Sequence, residues 1–182
     1  NTLYNNTFLA YGIFSNGIIG SGTANNNVIE KNTIILDTSS GFDGILHAGS
    51  MNNTIIKNNT LNVKGNNGIR LGNIFSTYNI INTTISFNQI SVTGTTRSGL
   101  SFYGNFSNNT IYSNIINSTS RAITIDGVNG NARYNSFANN TIINLTAINV
   151  NSSTSTYNNI FLNTTLNRSR ITFGGSGTNR NL

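Results

Sequence analysis

The chain lacks cysteine, proline and tryptophan, and it carries few charges. Without cysteine it has no disulfide framework and no thiol chemistry. Without proline every backbone N–H remains available for a strand ladder. Charged residues are 8% of the 182 residues, and the whole supply of carboxylate side chains is Glu30, Asp37, Asp43 and Asp126. No apolar run approaches the roughly 20 residues of a membrane-spanning helix, so we expect no membrane span.

Asparagine fills the polar role that charged residues usually have. The chain contains 38 Asn, 24 Thr and 20 Ser, together with 25 Ile at regular intervals, which indicates a folded repeat protein rather than a disordered tract. The formal net charge is +6, but the basic residues form no run, and we therefore predict no nucleic-acid partner. Weak attraction to acidic polysaccharide is the more reasonable expectation. The basic residues are Lys31, Lys57, Lys64, Arg70, Arg97, Arg121, Arg133, Arg168, Arg170 and Arg180.

The dominant pattern is a phrase, Asn-x-apolar, that returns about every 26 residues and has a degenerate copy at Thr164. A period of this length is typical of one supersecondary unit stacked on itself. The chain opens within a repeat, so we expect a processed protein or a segment of a longer one. The phrase begins at Asn6, Asn32, Asn59, Asn88, Asn114 and Asn140, with spacings of 26, 27, 29, 26 and 26 residues.

Two further apolar rows keep step with the phrase. The row before it contains Val28, Ile55, Ile85, Ile111, Phe137 and Ile160. The row after it contains Ile18, Ile45, Ile69, Leu100, Ile123, Ile148 and Ile171, and there apolar and polar residues alternate as in a half-buried strand. Short strands must pair with their equivalents in the next repeat. The sequence therefore predicts an all-β parallel β-helix of six to seven coils with three sheets over residues 1–173, followed by a tail or linker over 174–182.

The recurring asparagine has a structural explanation. A sharp bend between short strands often needs a left-handed backbone, which asparagine tolerates. Its amide can donate to a carbonyl of the coil below and accept from the coil above, so stacked amides form a ladder. We predict such a ladder at Asn6, Asn32, Asn59, Asn88, Asn114 and Asn140.

The repeat resembles that of the pectate-lyase-like superfamily of parallel β-helices. The Asn-Asn-Thr-Ile phrases at 52–55, 108–111 and 139–142, each followed by Asn-x-Ile or a close variant, carry the resemblance, which covers residues 5–173. It implies a right-handed winding, as the long and irregular repeat does too. It also implies an asparagine ladder at a bend, and a range of roles from polysaccharide lyases and hydrolases to tailspikes, surface-layer proteins and adhesins.

The acids are too few and too dispersed for the paired carboxyls of a glycosidase or the calcium site of a lyase. The best local cluster is Asp37, Asp43 and His47, which we interpret as loop solvation beside a lone histidine. We therefore predict no catalytic residue, no metal site and no cofactor, and we expect that the chain is not an enzyme.

Asparagines in Asn-x-Ser/Thr sequons are candidates for N-glycosylation if the protein is secreted by a glycosylating cell. Because asparagine is so frequent, many of these sequons are expected by chance. The twelve are Asn5, Asn52, Asn58, Asn82, Asn105, Asn108, Asn117, Asn139, Asn144, Asn151, Asn163 and Asn167.

These observations favour a structural protein outside the cell: a surface, filament-forming or adhesin β-helix that associates end to end or belongs to a longer solenoid. The alternative is a carbohydrate-binding module or a degenerate polysaccharide lyase or hydrolase, with glycan on the third strands near Arg70, Ser101, Tyr103 and Thr124. A distant alternative is ice binding by rows of outward hydroxyl side chains, for which Thr54, Thr84, Thr110 and Ser136 form one row and Thr33, Thr60, Thr141 and Thr165 another.

Overall fold

The computed structural model describes residues 1–12, 16–38, 41–73, 75–94, 98–127, 130–143, 147–152, 155–166 and 170–175. Within these ranges the regular elements are β-strands, and successive coils pair in parallel. The predicted all-β class and the parallel β-helix with three sheets are confirmed. None of the described residues belongs to a helix that is long and apolar enough to cross a membrane.

The first sheet contains seven strands of three residues each, and the central residue of each strand faces the core. The outer two residues face away from it, as the pleat of a strand requires. These strands are β1 (Thr2–Tyr4), β4 (Val28–Glu30), β7 (Ile55–Lys57), β11 (Thr84–Ser86), β15 (Thr110–Tyr112), β19 (Ser136–Ala138) and β23 (Ile160–Leu162).

The second sheet follows after one tight bend and also contains seven strands. The apolar residue of each Asn-x-apolar phrase is the second residue of its strand and faces the core. These strands are β2 (Thr7–Gly12), β5 (Thr33–Thr38), β8 (Thr60–Lys64), β12 (Gln89–Thr93), β16 (Ile115–Ser118), β20 (Thr141–Ile143) and β24 (Thr165–Leu166).

The third sheet has eleven strands because it branches. In the first two coils it is one long strand, β3 (Ile18–Asn25) or β6 (Ile45–Asn52). β6 pairs through its first residues with β9 (Ile69–Leu71) and through its last residues with β10 (Asn79–Ile81), so later coils have two strands here. The first branch continues as β13 (Ser98–Tyr103), β17 (Arg121–Gly127), β21 (Ala147–Ser152) and β25 (Arg170–Gly175), and the second as β14 (Asn105–Ser107), β18 (Asn131–Arg133) and β22 (Ser155–Tyr157).

Two glycines mark the bend between the branches. Gly72 has φ 84° and Gly104 has φ 89°, a backbone region that glycine adopts without steric cost. A Cβ atom on Gly72 would collide with the carbonyl oxygen of Tyr103, and one on Gly104 would lie 2.6 Å from the carbonyl oxygen of Tyr78. The longer connection between β9 and β10 lies in the repeat whose ladder spacing is 29 residues.

The core is a stack of inward rows, and two of the three predicted rows have the predicted register. The row of the second sheet is Phe8, Ile34, Leu61, Ile90, Ile116, Ile142 and Leu166. The row of the third sheet is Ile18, Ile45, Ile69, Leu100, Ile123 and Ile148. The backbone of Ile171 pairs with Ile148 in the predicted register. Two stacked aromatic pairs, Phe102 with Phe106 and Phe137 with Phe161, complete the packing, with ring centroids 4.1 and 4.6 Å apart.

The predicted row of the first sheet is wrong at three of its six positions. Val28, Ile55 and Ile160 face outward, and the next residue of each strand faces the core. Two apolar residues are adjacent at each of these positions, so hydrophobicity alone does not say which one is inside. The inward row is Leu3, Ile29, Ile56, Ile85, Ile111, Phe137 and Phe161.

About five turns of the solenoid have a coil on both sides, slightly fewer than the predicted six to seven coils. The difference arises because the outermost strands of each sheet belong to coils that are covered on one side only. The last described strand ends at Gly175, and residues 176–182 of the predicted tail lie outside the described residues. The right-handed winding stays a prediction, in line with the general preference of parallel crossovers.

Candidate functional site

The six predicted asparagines stack along the bend between the first and second sheets. At each step the backbone N–H and the side-chain Nδ2 of one asparagine donate to the Oδ1 of its equivalent in the next coil, at 2.9–3.2 Å. From Asn32 onward, Nδ2 also donates to the carbonyl of the inward residue in the preceding coil, for example from Asn88 to Ile56 at 2.9 Å. Each Oδ1 therefore accepts its hydrogen bonds from the preceding coil, the same coil whose carbonyl accepts from Nδ2. We had expected Oδ1 to accept from the coil on the opposite side. Every buried amide group of the ladder is satisfied.

A second ladder, which the sequence reading missed, runs along the bend between the third and first sheets. Asn109 donates through its N–H and Nδ2 to the Oδ1 of Asn135, and Asn135 donates in the same way to Asn159. Asn159 is the last asparagine of the row. Thr83 begins it by donating its N–H to Asn109 Oδ1 at 2.8 Å. The signal was present, because each member lies five residues before a member of the first ladder row.

The left-handed residue at each bend is the one before the ladder residue, so the prediction that the ladder asparagine itself adopts this conformation is wrong. The ladder residue instead lies directly before the next strand and turns its side chain inward. Positive φ values of 46–56° occur at both bends, and nine of the thirteen residues are asparagine, as its tolerance of this region predicts. They are Asn5, Asn26, Lys31, Asn53, Asn58, Asn82, Phe87, Asn108, Ser113, Tyr134, Asn139, Asn158 and Asn163.

The sequon asparagines fall into distinct environments. Six combine an exposed side chain with a positive φ at a bend: Asn5, Asn58, Asn82, Asn108, Asn139 and Asn163. Asn52, Asn105 and Asn117 are half-buried, and Asn105 bonds its neighbours Asn79 and Asn131 in a surface row. Asn151 lies in β21, and nothing further is described of its side chain, while Asn144 and Asn167 lie outside the described residues.

Three of the four acids are paired with a base in the next coil. Glu30 lies 3.4 Å from Lys57, and Asp37 lies 3.0 Å from Lys64. A third pair joins Asp43 and Arg70 at 3.1 Å. Each base follows its acid by 27 residues, the spacing of Asn32 and Asn59, so the sequence could have predicted the pairs.

The expected cluster of Asp37, Asp43 and His47 has different partners for each member. Asp37 is paired with Lys64 at the surface, Asp43 is buried beside Arg70, and the buried His47 ring contacts the Ser50 carbonyl at 3.0 Å through Nε2. Among the described residues no group of three or more His, Cys, Asp or Glu could hold a metal ion.

The four residues expected to face glycan share the outer face of the first branch of the third sheet. Arg70 lies opposite Ser101, Ser101 lies opposite Thr124, and Tyr103 follows on the same strand as Ser101. Ser101 and Thr124 are 0% and 4% exposed, so only Arg70 and Tyr103 present part of their side chains to solvent.

A buried polar network covers this face. Asp43 forms its ion pair with Arg70 and accepts two hydrogen bonds on Oδ1 from Asn67, at 3.1 Å from the backbone N–H and 2.7 Å from Nδ2. Asn67 Oδ1 then accepts from the N–H of Ser98 at 3.1 Å and the hydroxyl of Ser101 at 3.0 Å. The chain of contacts joins three successive coils and leaves Ser101 committed to the network.

Tyr103 on this face has a clearly raised pKa. Burial raises the pKa of its hydroxyl, and a hydrogen bond with Ser101 opposes that effect. The neighbouring Asp126 carboxylate raises this pKa further, and Arg70 lowers it. A phenol that stays protonated can donate a hydrogen bond to a ligand oxygen but is a poor base at neutral pH.

No protein-family model, curated protein or solved structure matches the chain. The parallel solenoid itself follows from the strand pairing.

Proposed function

We propose that this chain is a structural β-helix of an extracellular surface, filament-forming or adhesin-type protein. The observation that carries the proposal is that its polar side chains connect coils. One amide ladder joins successive coils from Asn6 to Asn140, and the second joins them from Thr83 to Asn159. Glu30, Asp37 and Asp43 form three ion pairs that all join one pair of neighbouring coils. A solenoid built from such nearest-neighbour contacts is a rod whose length depends on the number of repeats.

The terminal coils support association end to end or within a longer solenoid. The strands β1, β2 and β3 each pair on one side only, and so do β23, β24 and β25 at the other end. Unpaired strand edges are templates for pairing with another chain. The low charge and the asparagine- and threonine-rich surface suit exposure outside the cell, and the repeat itself supports kinship with adhesin-type members of the pectate-lyase-like superfamily.

Electron microscopy of the full chain over a concentration series tests the proposal. We expect rods that lengthen with concentration by a constant axial increment, together with a rising mean mass in light scattering. Dispersed particles of one short length and a mass that stays monomeric at the highest concentration would contradict self-association.

Glycosylation of the rod at its bends belongs to the same proposal. The six exposed bend sequons hold the asparagine away from the ladders, so a glycan there displaces no core contact. Peptide mass spectrometry after secretion from an N-glycosylating cell should find glycans at Asn58, Asn82, Asn108 and Asn139. Occupancy confined to the half-buried Asn52, Asn105 and Asn117 would contradict this assignment.

A carbohydrate-binding module or degenerate lyase or hydrolase is the second candidate. It is favoured by the partly exposed Arg70 and Tyr103, which together offer a cation and a phenol donor to an acidic sugar. A glycan array with wild type and Arg70→Ala tests binding, with Arg133→Ala, an exposed arginine of the second branch, as control. Release of unsaturated sugars from an acidic polysaccharide would establish a lyase.

Ice binding remains a distant alternative, supported by one row of outward threonines on the second sheet. Their register is Thr7, Thr33, Thr60, Gln89, Ile115, Thr141 and Thr165, so the row is interrupted twice. The other expected row is broken as well, because Thr54 is a buried residue at the ladder position. Thermal hysteresis of the freezing point would support ice binding, and its absence would remove it.

A further inference from the structure

The N-terminal coil leaves its interior open. Its inward residues Leu3, Phe8 and Ile18 are half-buried, whereas their equivalents in the middle coils are fully buried. A cavity of about 650 Å³ opens between the first two coils, with Leu3, Ile18 and Ile45 among its walls. An apolar opening of this kind is stabilised when another rung covers it.

The first ladder is also open at this end, and it has a direction. Every later Oδ1 in the ladder accepts from the N–H and Nδ2 of the preceding coil. Asn6 donates to Asn32 and to the Tyr4 carbonyl, but its own Oδ1 accepts no hydrogen bond from the described residues. The acceptor is positioned for an N–H from a coil that stacks below it.

The C-terminal coil has the complementary pattern. Its ladder position is Thr164, whose hydroxyl donates to the carbonyl two residues earlier, as the hydroxyl of Thr83 does. In the second ladder Thr83 donates its N–H to the Oδ1 of Asn109, so this molecule already contains a step from threonine to asparagine. A step from Thr164 to Asn6 of another molecule would repeat it.

We infer that the N-terminal coil is a docking face for the C-terminal coil of a second copy, in a head-to-tail joint that continues all three sheets. β1 would pair with β23, β2 with β24 and β3 with β25, which places Phe161 over Leu3 and Leu166 over Phe8. Phe161 and Leu166 are half-buried at their own end, so the joint covers apolar residues of both copies. Because the two faces differ, the joint is heterologous and repeats without closing.

The outward residues at the joint match too. Tyr4 and Leu162 hold the same position of the first sheet at opposite ends, and they are 50% and 53% exposed. Head-to-tail stacking places them side by side, an aromatic–aliphatic cross-strand pair of the kind that stabilises sheets. This inference rests on the proposed self-association and names the surface that performs it.

Cysteine cross-linking tests the joint, and the chain has no cysteine of its own to interfere. Tyr4→Cys and Leu162→Cys change exposed side chains. The Tyr4 change removes a hydrogen bond and a cation–π contact, both with Lys31 at the surface. Within one molecule the two sites lie about 30 Å apart, six strand spacings of ~4.8 Å, so they cannot bridge. Across the joint they lie on adjacent strands at about 5 Å, within disulfide reach.

Mild oxidation of mixed single variants should give disulfide-linked dimers on a non-reducing gel, and the double variant should give a series of multimers. Either single variant alone should stay largely monomeric, as should Thr110→Cys in the middle of the same sheet mixed with either one. If Tyr4→Cys mainly forms disulfide-linked dimers with itself, the contact is head-to-head and the proposed head-to-tail joint is wrong. If filaments form without cross-links, this joint is wrong and the proposed function stands. If neither filaments nor cross-links form, both the joint and the proposed function are wrong.

Discussion

The replacement Asn88→Ala tests the first ladder at its centre. It removes four hydrogen bonds: two that Asn88 Oδ1 accepts from Asn59 and two that Nδ2 donates, to the Ile56 carbonyl and to Asn114 Oδ1. Two neighbours keep partners, because Asn59 Nδ2 still donates to Ile29 and Asn114 Oδ1 still accepts the backbone N–H of residue 88. The Asn59 backbone N–H loses its ladder acceptor, and the Ile56 carbonyl loses one donor.

The size of the effect follows from these two groups. A buried polar group left without a partner costs about 1–3 kcal/mol. The site is 1% exposed, so water reaches neither group without rearrangement. We therefore expect the free energy of unfolding to fall by about 3 kcal/mol, with about 2–6 kcal/mol as the range that two such groups allow.

Urea unfolding followed by far-UV circular dichroism measures the change, with the denaturant slope checked for constancy. Asn62→Ala is the matched control, because Asn62 is an exposed, outward residue of the adjacent coil. Substitution at such a surface site usually changes stability by less than about 0.5 kcal/mol. If the free energies of unfolding of Asn88→Ala and Asn62→Ala differ by less than about 0.5 kcal/mol, the ladder does not stabilise the solenoid and the reasoning fails.

Three further predictions address the bends, the ion pairs and the outer face. Ser113→Asn should raise the free energy of unfolding by about 0.5–1 kcal/mol, because Ser113 has φ 53° and asparagine tolerates it; a loss of stability would contradict this. Asp43→Asn should lower the free energy of unfolding by about 3 kcal/mol, because it breaks a buried pair with Arg70. Asp37→Asn should lower it by less than about 1 kcal/mol, because the pair with Lys64 is exposed. Equal losses for the two variants in urea unfolding would refute the distinction. The raised pKa of Tyr103 means that the unfolded chain loses this proton first, so stability should fall as pH rises above about 10, and Tyr103→Phe should reduce that fall; an unchanged alkaline profile would contradict it.

The period of the repeat was sufficient to predict the architecture, because every coil reuses one spacing of apolar residues. It was not sufficient for the side chains of the first sheet. At Val28-Ile29 and Ile55-Ile56 either residue could satisfy a hydrophobic pattern, and only the distance to the ladder decides. The inward residue always lies three positions before the ladder residue, as Ile85 does before Asn88.

The branch of the third sheet lay beyond the sequence pattern for a different reason. It depends on where the backbone turns at Gly72 and Gly104, and the strands on either side retain ordinary alternation. The second ladder was harder to detect because Thr54 and Thr83 occupy the equivalent positions of the earlier coils. Their hydroxyls donate to nearby carbonyls, so no amides stack there. The four residues expected to face glycan share the outer face of the third sheet, but the burial of Ser101 depends on Asn67 from the neighbouring coil.

The abundance of sequons is explained by the bend itself. A bend uses three successive residues: one with positive φ, one that turns its side chain into the ladder position, and one that begins the next strand. Asparagine suits the first requirement and threonine suits the third, so Asn-x-Thr arises wherever both preferences are met. Asn58-Asn59-Thr60 and Asn139-Asn140-Thr141 are complete examples. The number of sequons is therefore a consequence of the fold, and support for glycosylation has to come from the exposure of the bend asparagines.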